Sequence, residues 1–213
     1  MQIILRKLTP TFIEEEKVFR SQIWNHDIVF SKQEHVQIIA PSGSGKTSLV
    51  HFLYGLRKEY TGHILYHEKD IRQFDAEQFS VYRRQFISIV FQDLRLFPGQ
   101  TVLQNIEIKR QLAPFHSQSR IVEMASRLGI ENKLDKLCST CSYGEQQRIA
   151  IIRALQQPYE FLLLDEPFSH LDTANSRKAM ELMEEESELR KASIILANLE
   201  EVEDFKASRV INL

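Results

Sequence analysis

Cysteine, glycine and proline are scarce in this sequence, and neither sign of charge dominates it. The 213 residues include two cysteines, seven glycines and six prolines, and 27 basic residues face 29 acidic ones. The net charge of −2 provides no basic field for nucleic acid. No run approaches the roughly 20 apolar residues that a membrane-spanning helix needs, and the apolar start of the chain is too short for a secretion signal. We therefore expect a cytosolic protein that reaches any membrane through a partner.

The two cysteines, Cys138 and Cys141, form a lone C-x-x-C pair. A zinc site would need two further ligands, and the chain has no other cysteine. A redox dithiol is the alternative. We expect both residues to act as small apolar side chains, since free thiols also fit a reducing compartment.

The most informative segment is a glycine-rich stretch, residues 40–48. It follows the apolar run 36–39, which is typical of a buried strand, and precedes a segment that favours a helix. Strand, glycine-rich turn and helix together predict a phosphate-binding loop. The glycines allow backbone N–H groups to point at phosphate oxygens, and the helix start adds its positive dipole end. The predicted phosphate-contacting residues are Ala40, Pro41, Ser42, Gly43, Ser44, Gly45, Lys46, Thr47 and Ser48.

A second apolar run, residues 161–164, ends in the carboxylates Asp165 and Glu166. This pattern predicts a buried parallel strand that carries acidic groups to its carboxyl end, which is where ligands bind in open α/β sheets. Asp165 is suited to hold Mg²⁺, directly or through water. Glu166 could accept a proton from an attacking water.

Three further motifs stand in order around these two. Residues 141–148 read Cys-Ser-Tyr-Gly-Glu-Gln-Gln-Arg, Gln92 follows an apolar run, and residues 169–172 read Ser-His-Leu-Asp. Together the motifs resemble those of ATP-binding cassette (ABC) ATPases: the signature motif, the Q-loop and the D-loop. The resemblance covers essentially the whole chain.

This resemblance implies an α/β fold of the P-loop NTPase type. We expect a single ABC cassette over residues 1–213, with a RecA-like α/β core and an N-terminal antiparallel β subdomain. A helical subdomain, approximately residues 93–140, is expected to be inserted in the core.

The resemblance also implies ATP and Mg²⁺ as cofactors and assigns roles by position. Phe12 stands where an aromatic ring stacks on adenine, and Thr47, Gln92 and Asp165 are the expected metal ligands. Glu166, Gln92 and Asn198 are expected to act in hydrolysis. Two cassettes would pack head to tail around two ATP molecules, so that each signature contacts the nucleotide of the other subunit. The residues expected at that contact are Ser142, Gly144, Glu145 and Asp172.

Four residues of these motifs depart from the family pattern. Ala40 replaces a glycine, Tyr143 replaces the first glycine of the signature, Glu145 replaces its glutamine, and Asn198 stands where the family places its switch histidine. Tyrosine would strain the signature if position 143 needs a conformation open only to glycine. Asparagine can bond a phosphate oxygen but cannot carry charge or shuttle a proton. We therefore predict tight Mg-ATP binding with slow turnover.

The partners implied are a second cassette and an integral membrane permease-type subunit, with no nucleic acid. A homodimer is the first expectation, and a heterodimer is the alternative. The segment after Gln92 resembles the lipoprotein-release, macrolide-export and cell-division branch. Two alternatives stay open: a slow or non-hydrolysing regulatory cassette, and a soluble ATP-gated clamp that serves no membrane.

The sequence also predicts secondary structure outside the motifs. Residues 17–24 are predicted as a strand after a solvated turn at 14–16, and residues 200–205 as a short acidic helix. A charged helix is predicted from about Asn175 to Lys191, followed by strands at 193–197 and 209–213.

Overall fold

A computed structural model describes all residues from Met1 to Leu213. It contains two β-sheets. The first is antiparallel, with strand order β2-β1-β4-β5. Its strands are β1 (Ile3–Pro10), β2 (Ile28–Phe30), β4 (Tyr60–Tyr66) and β5 (Lys69–Asp70). In this sheet Ile3 lies opposite both Phe30 and Tyr66, and all three side chains are buried in the core.

The second sheet is parallel, with strand order β6-β7-β8-β3-β9. Its strands are β3 (His35–Ile39), β6 (Ile87–Val90), β7 (Phe161–Asp165), β8 (Ser193–Asn198) and β9 (Arg209–Asn212). All five residues of β7 are buried, as expected for a central strand that is covered on both faces. Because the strands are parallel, the segments that follow β3, β6, β7 and β8 meet at one edge. That edge gathers the phosphate loop, Gln92, Asp165 and Asn198.

Seven α-helices surround the sheets. They are α1 (Glu15–Arg20), α2 (Lys46–Leu53), α3 (Ala76–Gln85), α4 (Val102–Leu112), α5 (Gln118–Arg127), α6 (Tyr143–Ala154) and α7 (Thr173–Arg190). Both α4 and α5 lie within the expected helical region and pack on α6. Their apolar residues belong to one buried cluster with residues of α6, α7 and β8. None of the helices is both long and apolar enough to cross a bilayer.

Two element predictions are wrong. Residues 15–20 form helix α1 rather than strand, with Glu15 and Glu16 in the first turn and Arg20 in the last. This charge order favours a helix through its dipole. Residues 200–205 form no helix but a turn at Glu203 and Asp204. A helix this short is marginal by itself, and the buried Phe205 ring, stacked on His35, anchors the segment in another conformation.

Candidate functional site

The glycine-rich segment forms a tight turn between β3 and α2, as its sequence predicts. Gly43 has φ +76° and Gly45 has φ +98°, which are conformations that favour glycine. Gly45 is the N-cap of α2, directly before its first residue, so the free N–H groups of the first helical turn face the loop. Ala40 is buried and has no positive φ, which explains why alanine is tolerated there. The loop lines a cleft of about 360 Å³ together with Gln92, Glu166 and Leu199.

The outer side of this loop is held by residues that the sequence analysis did not single out. The Trp24 indole N–H donates to the Ser44 carbonyl over 3.0 Å and is buried. A Cβ on Gly45 would lie 2.5 Å from the Ile13 side chain and 3.1 Å from the Trp24 ring. Gly45 is therefore required for close packing as well as for its dihedral angle. One isolated tryptophan carries no recognisable motif, so only the fold connects it to the loop.

Lys46 and Glu166 form an ion pair inside the cleft. The ammonium of Lys46 donates to the Glu166 carboxylate, and the two side chains are 8% and 10% exposed. Glu166 has φ +47°, which is unusual for a residue with a side chain. Its N–H donates to the Ala197 carbonyl over 2.9 Å. The cation expected to bind phosphate is thus paired with the carboxylate expected to act as base.

Asp165 is buried at the end of β7, and neither of its carboxylate oxygens has a hydrogen-bond partner. Burial raises the pKa of Asp165 to about 6. Nearby, the Thr47 hydroxyl donates to the Gln92 side-chain oxygen over 3.1 Å. Unpartnered carboxylate, hydroxyl and amide oxygens are the ligands that Mg²⁺ prefers. The structure has no group of three or more His, Cys, Asp or Glu side chains that could hold a metal. The side chains of Thr47, Gln92 and Asp165 therefore fit a cation whose remaining ligands are oxygens of a nucleotide.

The signature segment begins helix α6. Ser142 caps the helix by accepting from the Glu145 N–H, and the Glu145 carboxylate accepts from the Ser142 N–H over 2.8 Å. Tyr143 is the first helical residue and has no positive φ. The strain that we considered for tyrosine at this position is therefore absent. Its ring is 47% exposed and packs against His170, with the ring centroids 4.1 Å apart.

Not every expected site residue faces the phosphate cleft. The Asn198 amide donates to the Glu200 carbonyl over 3.1 Å. Asp172 caps α7 by accepting from the Asn175 N–H over 2.8 Å. Phe12 is 49% exposed, and the Arg57 guanidinium lies 4.7 Å from the centre of its ring. A planar cation on this ring shows that it can stack on a flat group.

A second cleft of about 550 Å³ extends from the phosphate site to the signature. Its wall includes Thr47, Gln92, Glu166, Tyr143 and His170. The segments that follow β3, β6 and β7 thus line the same cleft as the start of α6. Phosphate loop, buried acidic strand end and parallel sheet define the class of P-loop nucleotide-binding proteins.

Comparison with known proteins gives the family. Residues 24–169 match the family model described as ABC transporter. The chain belongs to the ABC transporter ATP-binding family, and it is an ABC ATPase, as the motifs indicated.

Its relatives include ATP-binding subunits from several bacteria. An uncharacterized ABC transporter ATP-binding protein of Mycobacterium tuberculosis is 32% identical over 213 residues, which is 98% of this chain and 85% of that protein. The lipoprotein-releasing system ATP-binding protein LolD of Legionella pneumophila (strain Paris) is 30% identical over 88% of this chain and 84% of LolD. The macrolide export ATP-binding/permease protein MacB of Vibrio parahaemolyticus is 31% identical over 97% of this chain but only 32% of its own length.

Solved structures agree with this assignment. The dimeric ABC transporter cassette MJ0796 superposes with a TM-score of 0.83 at 26% identity, over 99% of this chain and 94% of that one. A second structure of that cassette holds ADP and phosphate after hydrolysis, with the same TM-score at 25% identity and the same coverage. The predicted α/β cassette fold is confirmed.

Proposed function

We propose that this ATPase closes head to tail with a second cassette around two Mg-ATP molecules and drives conformational change in a membrane partner. One observation carries the proposal. The buried Lys46–Glu166 pair lines the phosphate-loop cleft, and the unpartnered Asp165 carboxylate is buried next to Glu166 in sequence, at the end of β7. Phosphoryl transfer to water requires a cation that binds the phosphate, a base that accepts a proton from the water, and a metal ligand.

Bound nucleotide rearranges this pair. Lys46 turns from Glu166 to the β- and γ-phosphates, while the N–H groups of the loop bind the same oxygens. Glu166, released from the ammonium, orients the attacking water and accepts its proton. Thr47, Gln92 and Asp165 would hold Mg²⁺, which would neutralise charge on the phosphate oxygens. Phe12 stacks on adenine after Arg57 moves aside.

The opposite subunit completes the site. Ser142 and the Gly144 N–H stand at the first turn of α6, where the helix dipole favours an anion. They bind the γ-phosphate of the partner's nucleotide, with Glu145 holding Ser142 and Asp172 lying at the same contact. Closure then depends on the γ-phosphate, so hydrolysis separates the two subunits.

The proposed membrane partner is an integral permease-type subunit. This chain would then lie in the cytoplasm, bound to the inner face of the cell membrane through that partner. The support comes from relatives whose names join them to a lipoprotein-releasing system and to a permease. We propose a homodimer of cassettes, with a heterodimer as the alternative. The helical region 93–140 is the part proposed to contact the permease.

Purification of the Glu166→Gln protein from native membranes with Mg-ATP tests this proposal. The variant should keep the ATP-bound dimer closed and its partner attached, and a multi-span membrane protein should be recovered with it. Recovery of soluble proteins only, with ATP binding intact, would refute the membrane coupling and favour the soluble clamp.

A regulatory cassette with slow hydrolysis is the second candidate. It is favoured by Asn198, whose amide is hydrogen-bonded to the Glu200 carbonyl and not to any group of the cleft. Steady-state hydrolysis by the purified chain distinguishes it from an active motor subunit.

A further inference from the structure

The side chain of Gln147 joins the signature helix to the loop that carries Glu166. Gln147 lies on α6, one turn after Tyr143, and is only 1% exposed. Its amide nitrogen donates to the Glu166 carbonyl over 3.1 Å. Its amide oxygen accepts from the His170 N–H over 2.9 Å. One buried amide thus satisfies a carbonyl and an N–H at the two ends of the same loop.

Other contacts of α6 reinforce this connection. The Tyr143 ring packs edge-on against His170. A Cβ on Gly144 would lie 2.8 Å from the His170 carbonyl oxygen, so only glycine allows the helix to approach this closely. The loop carrying Glu166 is therefore packed directly on the start of α6.

The backbone of Glu166 needs such support. Its φ of +47° is a conformation that a residue with a side chain adopts at a cost. Its N–H donates to the Ala197 carbonyl of β8, and its carbonyl accepts from the Gln147 amide of α6 over 3.1 Å and from the Ser169 N–H over 3.4 Å. Loss of the Gln147 bond leaves this carbonyl with only the longer bond from within its own loop, and removes its tie to α6.

We propose that Gln147 is a positioning residue for hydrolysis, which holds Glu166 in place and couples the signature helix to the base of its own subunit. It acts through Glu166 and does not touch the nucleotide. When the signature of one subunit contacts the nucleotide bound by its partner, Gln147 would in this way also hold Glu166 in place at the first subunit's own nucleotide site. The inference rests on the proposed role of Glu166 as base.

The test compares Gln147→Met with Gln156→Met. Methionine matches the length of glutamine but makes no amide hydrogen bonds. Gln156 is also fully buried and donates to the Ile152 carbonyl, away from the loop, so its variant controls for the loss of a buried amide. We expect Gln147→Met to lower kcat on the order of 100-fold, as misplacement of a reacting group does, with the Kd for ATP unchanged. Gln156→Met should keep kcat.

A second variant separates the two bonds of Gln147. When its new carboxyl group is ionised, Gln147→Glu can accept from the His170 N–H but cannot donate to the Glu166 carbonyl. Above the pKa of that group it should hydrolyse ATP as slowly as the methionine variant. Full activity in either Gln147 variant, or an equal loss in Gln156→Met, would overturn the inference. Should Glu166→Gln itself hydrolyse ATP at the native rate, the proposed function of Glu166 fails. Should only Glu166→Gln be inactive, the role of Gln147 alone fails.

Discussion

The ammonium of Lys46 donates a hydrogen bond to the carboxylate of Glu166, although 120 positions separate the two residues in the chain. Lys46 begins α2, which follows β3, and Glu166 follows β7. Only β8 separates these two strands in the parallel sheet, so their carboxyl ends lie at the same edge. Neither is more than 10% exposed. The pair places two opposite charges together inside the cleft, and we expect a bound phosphate to replace the carboxylate as the partner of Lys46.

Replacing Lys46 with methionine should abolish ATP binding and also destabilise the fold. The substitution leaves the Glu166 carboxylate buried without its partner, and breaking a buried pair costs roughly 3 kcal/mol. Urea unfolding measures the loss. The double variant Lys46→Met/Glu166→Gln should regain part of that stability because no unpaired charge remains, and an equally unstable double variant would contradict the explanation.

Glu166→Gln should nearly abolish hydrolysis while ATP binding is kept. Glutamine preserves the shape of the side chain but cannot accept a proton from water. Phosphate release measures turnover, and light scattering with Mg-ATP should show a larger dimer fraction than for the native chain. Native-level phosphate release would rule out Glu166 as the base.

Asn198→His should increase the rate of hydrolysis. Asparagine offers neutral hydrogen bonds only, whereas histidine can carry charge and transfer a proton. The comparison is of steady-state rates for the native and variant chains at saturating Mg-ATP. A rate in the histidine variant equal to or below that of the native chain would show that Asn198 does not limit turnover.

Glu186→Gln should destabilise the protein at neutral pH and have no effect in strong acid. Burial alone raises the pKa of Glu186, but hydrogen bonds from His116, Arg190 and Arg120 outweigh it and lower the pKa from 4.5 to about 2. Because the folded pKa lies below the unfolded one, the carboxylate stabilises the fold above pH 4.5, and this contribution is lost as the pH falls toward 2. The shift corresponds to about 3 kcal/mol at pH 7.

Urea unfolding at pH 7 and pH 3 follows this loss, which is still incomplete at pH 3 because the folded pKa is about 2. Glu185→Gln is the matched control, since its carboxylate is 53% exposed and pairs with Arg127 at the surface. Exposed pairs contribute less than about 1 kcal/mol. Equal effects of the two substitutions at pH 7 would show that the buried network adds nothing.

The two cysteines should be unreactive in the folded chain. Both are free and buried, and burial raises the pKa of Cys138 to about 11 and also raises that of Cys141. Little thiolate is present at pH 7.5, and the thiolate is the reactive form. Titration with a thiol reagent should therefore modify them only after unfolding. Rapid modification of the native chain would revive the redox alternative.

Short motifs predict most of the candidate site because each carries its own local geometry. The glycines of residues 43–45, the strand before them and the helix after them are readable from neighbouring residues alone. Helix α7 was predicted from about Asn175 to Lys191 and is observed at Thr173–Arg190. Helix α1 was missed, because a six-residue segment gives too weak a periodicity to separate helix from strand.

The sequence by itself determined the family, the phosphate loop and the paired carboxylates, since these depend on residue types at fixed spacing. Only the tertiary structure decided which groups are partners. It joined Lys46 to Glu166, left the Asp165 carboxylate unpartnered, and brought Gln147 to the Glu166 carbonyl. These contacts span distant parts of the chain and arise from strand order and helix packing, so no local pattern encodes them.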